Sequence, residues 1–356
     1  MPRQFKYFVS GSAPTLYPAD TFYALLYYAP DKVLEIPKRY PYQGAWGEQL
    51  STNMLENECF SLPCWIDIVW LSVVEQKFYS LTARLPERQL EALFQLKELD
   101  ENGNESASSL FEYITIGMAP CGGLAVWAYG TKKSVLMTWA KAEETNVEMA
   151  DFVPSNPSIT LDSYCKLYIN NDERVRKNLL SNGLPSRSLY DKYMQQFLYR
   201  YYLLFEQWNN TKGEWQKYGE YDPIPDEYFL EEELYDGTHD TLHDGSLMTY
   251  HQAGKPKRLV VKWYVKKLEY TAYFWFEDEA IRNIFDRFYG AHPDTKTDFM
   301  IRIDSEKNKY ELALYRYGLK EPQVISESAY QLLVFKNKFE YYRSANYNQP
   351  RGAWIW

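Results

Sequence analysis

The sequence predicts an α+β fold: two related antiparallel sheet units with helices packed on them, joined by a helical and acidic connector. Three observations carry this expectation. A β-rich segment occurs twice: Leu124-Ala125-Val126-Trp127-Ala128-Tyr129-Gly130 is echoed by Leu312-Ala313-Leu314-Tyr315-Arg316-Tyr317-Gly318. Upstream, Pro63-Cys64-Trp65-Ile66-Asp67-Ile68-Val69-Trp70 is echoed at nearly the same offset by Pro256-Lys257-Arg258-Leu259-Val260-Val261-Lys262-Trp263. Both copies then read strand–strand–helix–strand–strand, an order that marks antiparallel α+β rather than a doubly wound parallel sheet. Finally, the 33 Tyr, 18 Phe and 11 Trp suit half-exposed sheets, because Tyr and Trp bury a large ring while keeping a polar group wet.

The elements follow in order. Residues 4–11 and 21–28 are strand-like and rich in Tyr, Phe and Val. Ala13-Pro14 and Tyr17-Pro18 force an extended turn between them. Residues 38–58, with Gly44, Trp46 and Gly47, read as loop. Strands at 65–73 and 77–84 form an antiparallel pair across Glu75-Gln76. Pro86 opens a helix carried by Leu90, Leu93 and Phe94. Residues 100–109 read as a solvated loop, and 113–117, 124–129 and 134–140 as strands.

Residues 172–180 are a short helix ended by Asn182-Gly183. Ser188 and Asp191 make a capping-box-like start, and Leu189, Tyr193, Phe197, Leu204 and Trp208 predict one long core-facing helix. Residues 209–254 read as an acidic linker or excursion loop. Strands at 259–264 and 270–276, a helix at 277–289 ended by Gly290, and strands at 298–304 and 310–317 around a 305–308 turn form the second copy. Residues 326–343 are expected to be helical, and the apolar Trp354-Ile355-Trp356 to dock on the body. At 356 residues the chain exceeds one ordinary domain of roughly 100–200 residues. The expected division is 1–170, a connector at 171–254, and 255–356.

Composition narrows the function. Residues 221–250 hold five Asp, four Glu and no Lys or Arg, which equals the whole chain's net charge of −9. No clustered Lys/Arg surface is evident, so no nucleic-acid partner is expected. No apolar run of about 18 residues predicts a transmembrane helix. The amino-terminal residues lack a signal-like apolar stretch, so a cytoplasmic location is expected. Cys59, Cys64, Cys121 and Cys165 show no Cys-x-x-Cys spacing. An oxidising compartment would allow one disulfide, such as Cys59–Cys64, and buried reduced thiols are the plainer account. No cofactor is expected.

A set of motifs is familiar. These are Ser12-Ala13-Pro14 with Tyr17-Pro18, Trp46-Gly47, Leu62-Pro63 leading into Asp67-Ile68-Val69-Trp70-Leu71-Ser72, Lys77-Phe78-Tyr79, Gly117-Met118-Ala119-Pro120-Cys121-Gly122-Gly123, and Val126-Trp127. Together they resemble a bacterial family catalogued as domain of unknown function 2931. The resemblance spans residues 5–165 by motif, and the remainder resembles longer members. It transfers no catalytic residue. It implies relatives that look like lipoproteins, periplasmic or lipid-anchored, and some relatives near antibacterial toxin systems, hence an immunity or toxin-binding role.

Candidate sites are few. Asp236, His239, Asp240, His243 and Asp244 cluster in sequence. If helical, His239 and His243 would share a face at i, i+4 beside Asp240, as a divalent-metal or hydrolytic site requires. Gly237 and Gly245 bracket the stretch and favour a loop instead. As an acidic loop, Glu231, Glu232, Glu233, Asp236, Asp240 and Asp244 would steer a basic partner, such as a basic toxin surface. Asp67 is either a tuned carboxylate or the outward face of an alternating strand, the simpler account. The Gly117–Gly123 stretch lacks the Lys-Ser/Thr of a phosphate loop. Cys121 has no His near it in sequence, and Gly-x-Ser-x-Gly is absent. Trp46, Trp127 and Trp139 form either a sugar-stacking platform or ordinary cross-strand packing. The resulting expectation is a non-enzymatic binding protein acting by protein–protein recognition. A metal-dependent hydrolase and a carbohydrate-binding protein are the alternatives.

Overall fold

A computed structural model describes residues 3–36, 41–44, 46–49, 59–99, 105–186, 188–217, 225, 227–265, 268–304, 309–318, 321–336 and 340–343. The chain divides into two compact units. The first comprises Met1–Lys192 together with Asp236–Thr238, and the second Tyr193–Tyr235 and His239–Ile355. The 305–308 turn and the Trp354–Trp356 tail expected from the sequence lie outside the described residues.

The first unit runs β1 (Phe8–Ser12), β2 (Ala19–Ala29), β3 (Lys32–Glu35), β4 (Trp65–Ser72), β5 (Lys77–Arg84), α1 (Glu87–Phe94), β6 (Lys97–Leu99), β7 (Glu105–Ser109), β8 (Tyr113–Ala119), β9 (Gly123–Tyr129), β10 (Ser134–Lys141) and β11 (Glu143–Thr145). Helices α2 (Met149–Phe152), α3 (Leu161–Asn171), α4 (Glu173–Asn182) and α5 (Leu189–Tyr193) follow. Among the described residues the strands form a sheet ordered β1-β8-β9-β10, a sheet ordered β11-β5-β4-β2-β3 and a β6-β7 ribbon. β1 lies parallel to β8, and the other pairs are antiparallel.

Strand β4 explains the layering. Its even positions, Ile66, Ile68 and Trp70, are fully buried with Ile114, Ile116 and Val126 between the two sheets. Its odd positions Val69 and Leu71 continue into Val73 and pack with Phe78 under Phe152, Tyr164 and Cys165 of the helical segment. Helix starts are fixed locally. Thr160 accepts from Ser163 N, and Asp172 from Arg174 N and Val175 N, so each cap satisfies otherwise unpaired amides.

The second unit runs β12 (Phe197–Asn209), β13 (Glu214–Lys217), β14 (Glu227–Leu234), β15 (His239–His243), α6 (Asp244–Leu247), β16 (His251–Ala253), β17 (Pro256–Val265), β18 (Leu268–Phe276), α7 (Asp278–Tyr289), β19 (Thr297–Asp304), β20 (Lys309–Tyr315), β21 (Gln323–Val324), β22 (Tyr330–Lys336) and β23 (Glu340–Arg343). One sheet is ordered β13-β12-β19-β20-β21 with β16 also on β12, the other β15-β14-β17-β18-β22-β23. Here β12 is parallel to β19, which pairs antiparallel with β20, much as β1 is parallel to β8, which pairs with β9. The amphipathic α7 places Ile281, Phe285, Phe288 and Tyr289 in the core with Phe197, Tyr199 and Phe299.

Four element expectations are corrected. The helix expected from Ser188 to Trp208 stops at Tyr193, and Phe197–Asn209 is a strand. Phe197, Tyr199 and Tyr201 are buried at period two, and an aromatic run of this kind fits a pleated surface better than a helix. Among the described residues of 326–343 no α-helix forms: Glu327–Ala329 is a single 3-10 turn, and β22 buries Leu332 and Val334 on one face and pairs antiparallel with β23. The described residues of the 209–254 excursion are strand-rich, with Leu230, Leu234, Leu242 and Leu247 in the core. Residues 105–109, expected as loop, form β7.

A groove on the open half of the first unit's sheet

The odd face of β4 has two halves. Toward Val69 and Leu71 it is covered by helix side chains. Toward Trp65 and Asp67 it is open, and a groove of about 490 Å³ is lined by Tyr27, Pro30, Cys64, Trp65, Asp67 and Thr82. Strand register assembles it in two rows. Tyr27, Trp65 and Arg84 lie side by side, and Leu25, Asp67 and Thr82 form the next row. Side chains alternate along a strand, so all six project from the same sheet face.

The groove chemistry is specific. The Trp65 side chain is 38% exposed, large for an indole on a sheet. The Arg84 guanidinium sits 5.1 Å from its ring centroid, within cation–π range. Thr82 Oγ1 donates to Asp67 Oδ1 at 3.1 Å, and the Tyr23 hydroxyl donates to the same oxygen at 3.4 Å. Burial, and then the charge of Asp67, holds the Tyr23 phenol above its ordinary value, which keeps it a donor. Among the described residues, Oδ2 of Asp67 takes no hydrogen bond and Arg84 no ion pair. Cys64 Sγ is turned to the Tyr27 carbonyl at 3.4 Å.

The residues singled out from the sequence fall elsewhere. Trp127 is fully buried, packs edge-on to Trp46 at 4.9 Å and donates from Nε1 to the Asp236 carbonyl. Asp236 is fully buried and accepts from Thr238 N and Oγ1, so its carboxylate closes a turn. Trp46, Trp127 and Asp236 are therefore brought together within the first unit, as packing. Gly47 and Gly237 meet there in left-handed conformations; a Cβ on Gly47 would lie 2.2 Å from Gly237 O. Trp139 donates to Asp191.

The acids of β14 are matched by the neighbouring strand. Glu231 pairs with Lys262 at 2.7 Å, and Glu233 with Lys257 and with Arg258 at 3.1 Å. Burial works against the Glu233 charge, but Lys257 and then Arg258 prevail and hold its carboxyl below the usual range. Glu232, 5% exposed, faces the core and accepts from the Tyr201 hydroxyl at 2.7 Å. His251 Nε2 lies 3.7 Å from Glu232 Oε1, an ion-pair separation. Asp240 accepts from Thr241 N. The side chain of Asp244 lies outside the described residues.

His239 and His243 lie on strand β15, not on a helix. Four residues of strand span roughly 13 Å, so the two imidazoles do not share one ion as an i, i+4 helical pair would. His239 stands opposite Glu233, and His243 lies beside Phe229 and caps α6. Among the described residues no group of three or more His, Cys, Asp or Glu is arranged to hold a metal.

The four cysteines are free, so the Cys59–Cys64 disulfide is not formed. Burial pushes the Cys165 thiol up to about 12. Cys121 adopts φ 58° in a turn where its Sγ faces Glu75 Oε1 at 3.5 Å and the Pro185 carbonyl at 3.8 Å. Neither neighbour is the cation or imidazole that favours a thiolate.

A family model described as "Protein of unknown function (DUF2931)" matches residues 1–186. The chain belongs to the DUF2931 family. The match falls inside the span that holds the groove, so Trp65, Asp67, Thr82 and Arg84 all lie in the DUF2931 region. No curated protein and no solved structure matches this DUF2931 chain. No helix among its described residues is long and apolar enough to cross a membrane.

Sequence reasoning passed over Trp65, Tyr27, Thr82 and Arg84. A signal was present. On the odd positions of β4, Trp65 and Asp67 give way to Val69 and Leu71, and that switch on one face marks where helical cover ends.

Proposed function

We propose that the chain is a recognition protein that binds its target non-covalently on the open half of the β2-β4-β5 face. One observation carries this reading: an exposed indole and a carboxylate line a groove of about 490 Å³, and a guanidinium lies 5.1 Å from that indole's ring centroid. Ligand sites combine apolar area with a few convergent polar groups in this way. Saturation-transfer NMR over sugars, amino acids, nucleotides and short peptides tests it. Signals that vanish in Trp65→Ala support the reading; no signal, or signals indifferent to the substitution, count against it.

A second reading, recognition of a protein partner, is supported by the half-buried face of the second unit. There Tyr273 stacks on Trp275 at 5.5 Å, Phe335 packs on Tyr273, and the Glu231–Lys262 and Glu233–Arg258 pairs stand on the strands beside them. Tyr, Trp and Arg are enriched at such interfaces. The paired charges fit a partner of mixed sign better than a purely basic toxin surface. Capture of a partner by the full chain that fails with Trp275→Glu, while Trp65→Ala captures normally, would support this reading over the first. The strand plan common to the two units also supports an internal duplication, with a shared packing scaffold and different polar decoration.

A further inference from the structure

We propose that the groove's ligand is a saccharide, a pyranose ring presenting neighbouring hydroxyls. The proposal rests on the reading that the groove is a ligand site and adds the chemical class.

The charge pattern disfavours ligands of a single charge sign. Asp67 and Arg84 stand in adjacent rows of the same face, about 7 Å apart along the strands. An anionic ligand meets Arg84 but is repelled by Asp67. A cationic ligand meets Asp67 but is repelled by Arg84. A hydroxyl both donates and accepts, so one polyol satisfies both groups at no electrostatic cost. The carboxylate is oriented for this. Thr82 and Tyr23 both donate to Oδ1, which leaves Oδ2 as the acceptor for a ligand hydroxyl.

The apolar component fits as well. A pyranose has one face of C–H groups, and these pack on an aromatic ring. Trp65 offers such a ring at 38% exposure, with Tyr27 beside it in the same row. Arg84 lies 5.1 Å from the indole centroid and has guanidinium N–H groups for ligand hydroxyls. The groove volume of about 490 Å³ is within the range of small-ligand sites, roughly 300–1,000 Å³.

The test is calorimetric titration of the full chain with neutral oligosaccharides: hexamers of glucose in α-1,4 and β-1,4 linkage, of N-acetylglucosamine, of β-1,3-glucose and of α-mannose. The expected result is binding of at least one, weakened tenfold or more in Trp65→Ala and at least several-fold in Asp67→Asn. The dissociation constant should change less than twofold between 50 and 500 mM NaCl, because the ligand carries no charge. Thr82→Val, a second variant at an exposed position, should also weaken binding several-fold. Thermal midpoints identify any variant that has lost its fold. If none of these oligosaccharides binds, the saccharide assignment is overturned. If short peptides or ionic ligands bind instead, with the same dependence on Trp65, the assignment falls but the groove stands as a site. If no ligand responds to Trp65 or Asp67, both fall.

Discussion

The contact between Tyr201 and Glu232 offers a sharp test of how the second unit is held together. Tyr201 is fully buried, Glu232 is 5% exposed, and the phenol donates to Oε2 at 2.7 Å. Tyr201→Phe keeps the ring, including its packing on Phe299 at 5.4 Å and Tyr199 at 5.5 Å. The substitution leaves the ring in place and removes one hydroxyl, which donates to Glu232 and also hydrogen-bonds with Tyr199. A carboxylate deprived of a hydrogen bond in a dry site costs about 2 kcal/mol, given about 1.5–3 kcal/mol for hydrogen bonds to charged groups. With a urea dependence of about 1–3 kcal/mol per M, the midpoint should fall by about 1 M. Urea unfolding, monitored by the β12 and β14 amides in hydrogen exchange, reports the effect. In a Glu232→Gln background the same substitution should cost about half as much, since a neutral acceptor replaces the charged one. An unchanged midpoint in Tyr201→Phe, or an equal cost in both backgrounds, would refute the argument that Glu232 is a buried, tyrosine-stabilised carboxylate.

Other tests follow from the same structure. Burial opposes protonation of His251, but Glu232 outweighs it and raises the imidazole above 6.5. Its contribution is therefore full below about pH 6.5 and fades as pH rises through the native value. The stability gap between the native chain and His251→Gln should narrow from pH 6 to pH 8, and a constant gap would sink this account. Asp172, held well below the usual carboxylate range first by its hydrogen bond from Arg174, caps α4. Asp172→Ala should cost about 1 kcal/mol near neutral pH. That penalty should shrink as pH falls below the ordinary carboxylate range, which thermal midpoints between pH 7 and pH 3 would show. Gly47→Ala imposes a side chain at φ +86° against the Gly237 backbone. It should lower the thermal midpoint by several degrees, while alanine at Gly213, also at positive φ but with open space around it, should cost less.

The sequence made some elements plain and hid others for physical reasons. The 65–73 and 77–84 strands, the helix before Gly290 and the strands around Trp127 were legible because alternation or helical spacing is strong there. Strand β12 was not. Leu189, Tyr193 and Phe197 fall at i, i+4 and suggest a helix, while the competing period-two burial of Phe197, Tyr199 and Tyr201 decides the outcome. The acidic stretch misled for a different reason. The cations that balance Glu231 and Glu233 sit on β17, 24–31 residues further along the chain, so charge counted locally looked unpaired. Asp67 was read correctly as outward-facing. Its neighbours on this face come from β2 and β5, and only strand register brings Tyr27, Thr82 and Arg84 near it.

Strand β4 separates two kinds of structural constraint along one stretch of chain. Ile66, Ile68 and Trp70 answer to the core, and Trp65 and Asp67 face the open groove. Substitutions at Trp65 and Asp67 can therefore leave the even face undisturbed, and the same independence holds for Thr82 and Arg84 on β5, but not for Val69 and Leu71, which pack under the helical segment. Such a sheet is an evolvable surface. The groove-lining residues can be exchanged at a handful of positions while the interior stays fixed.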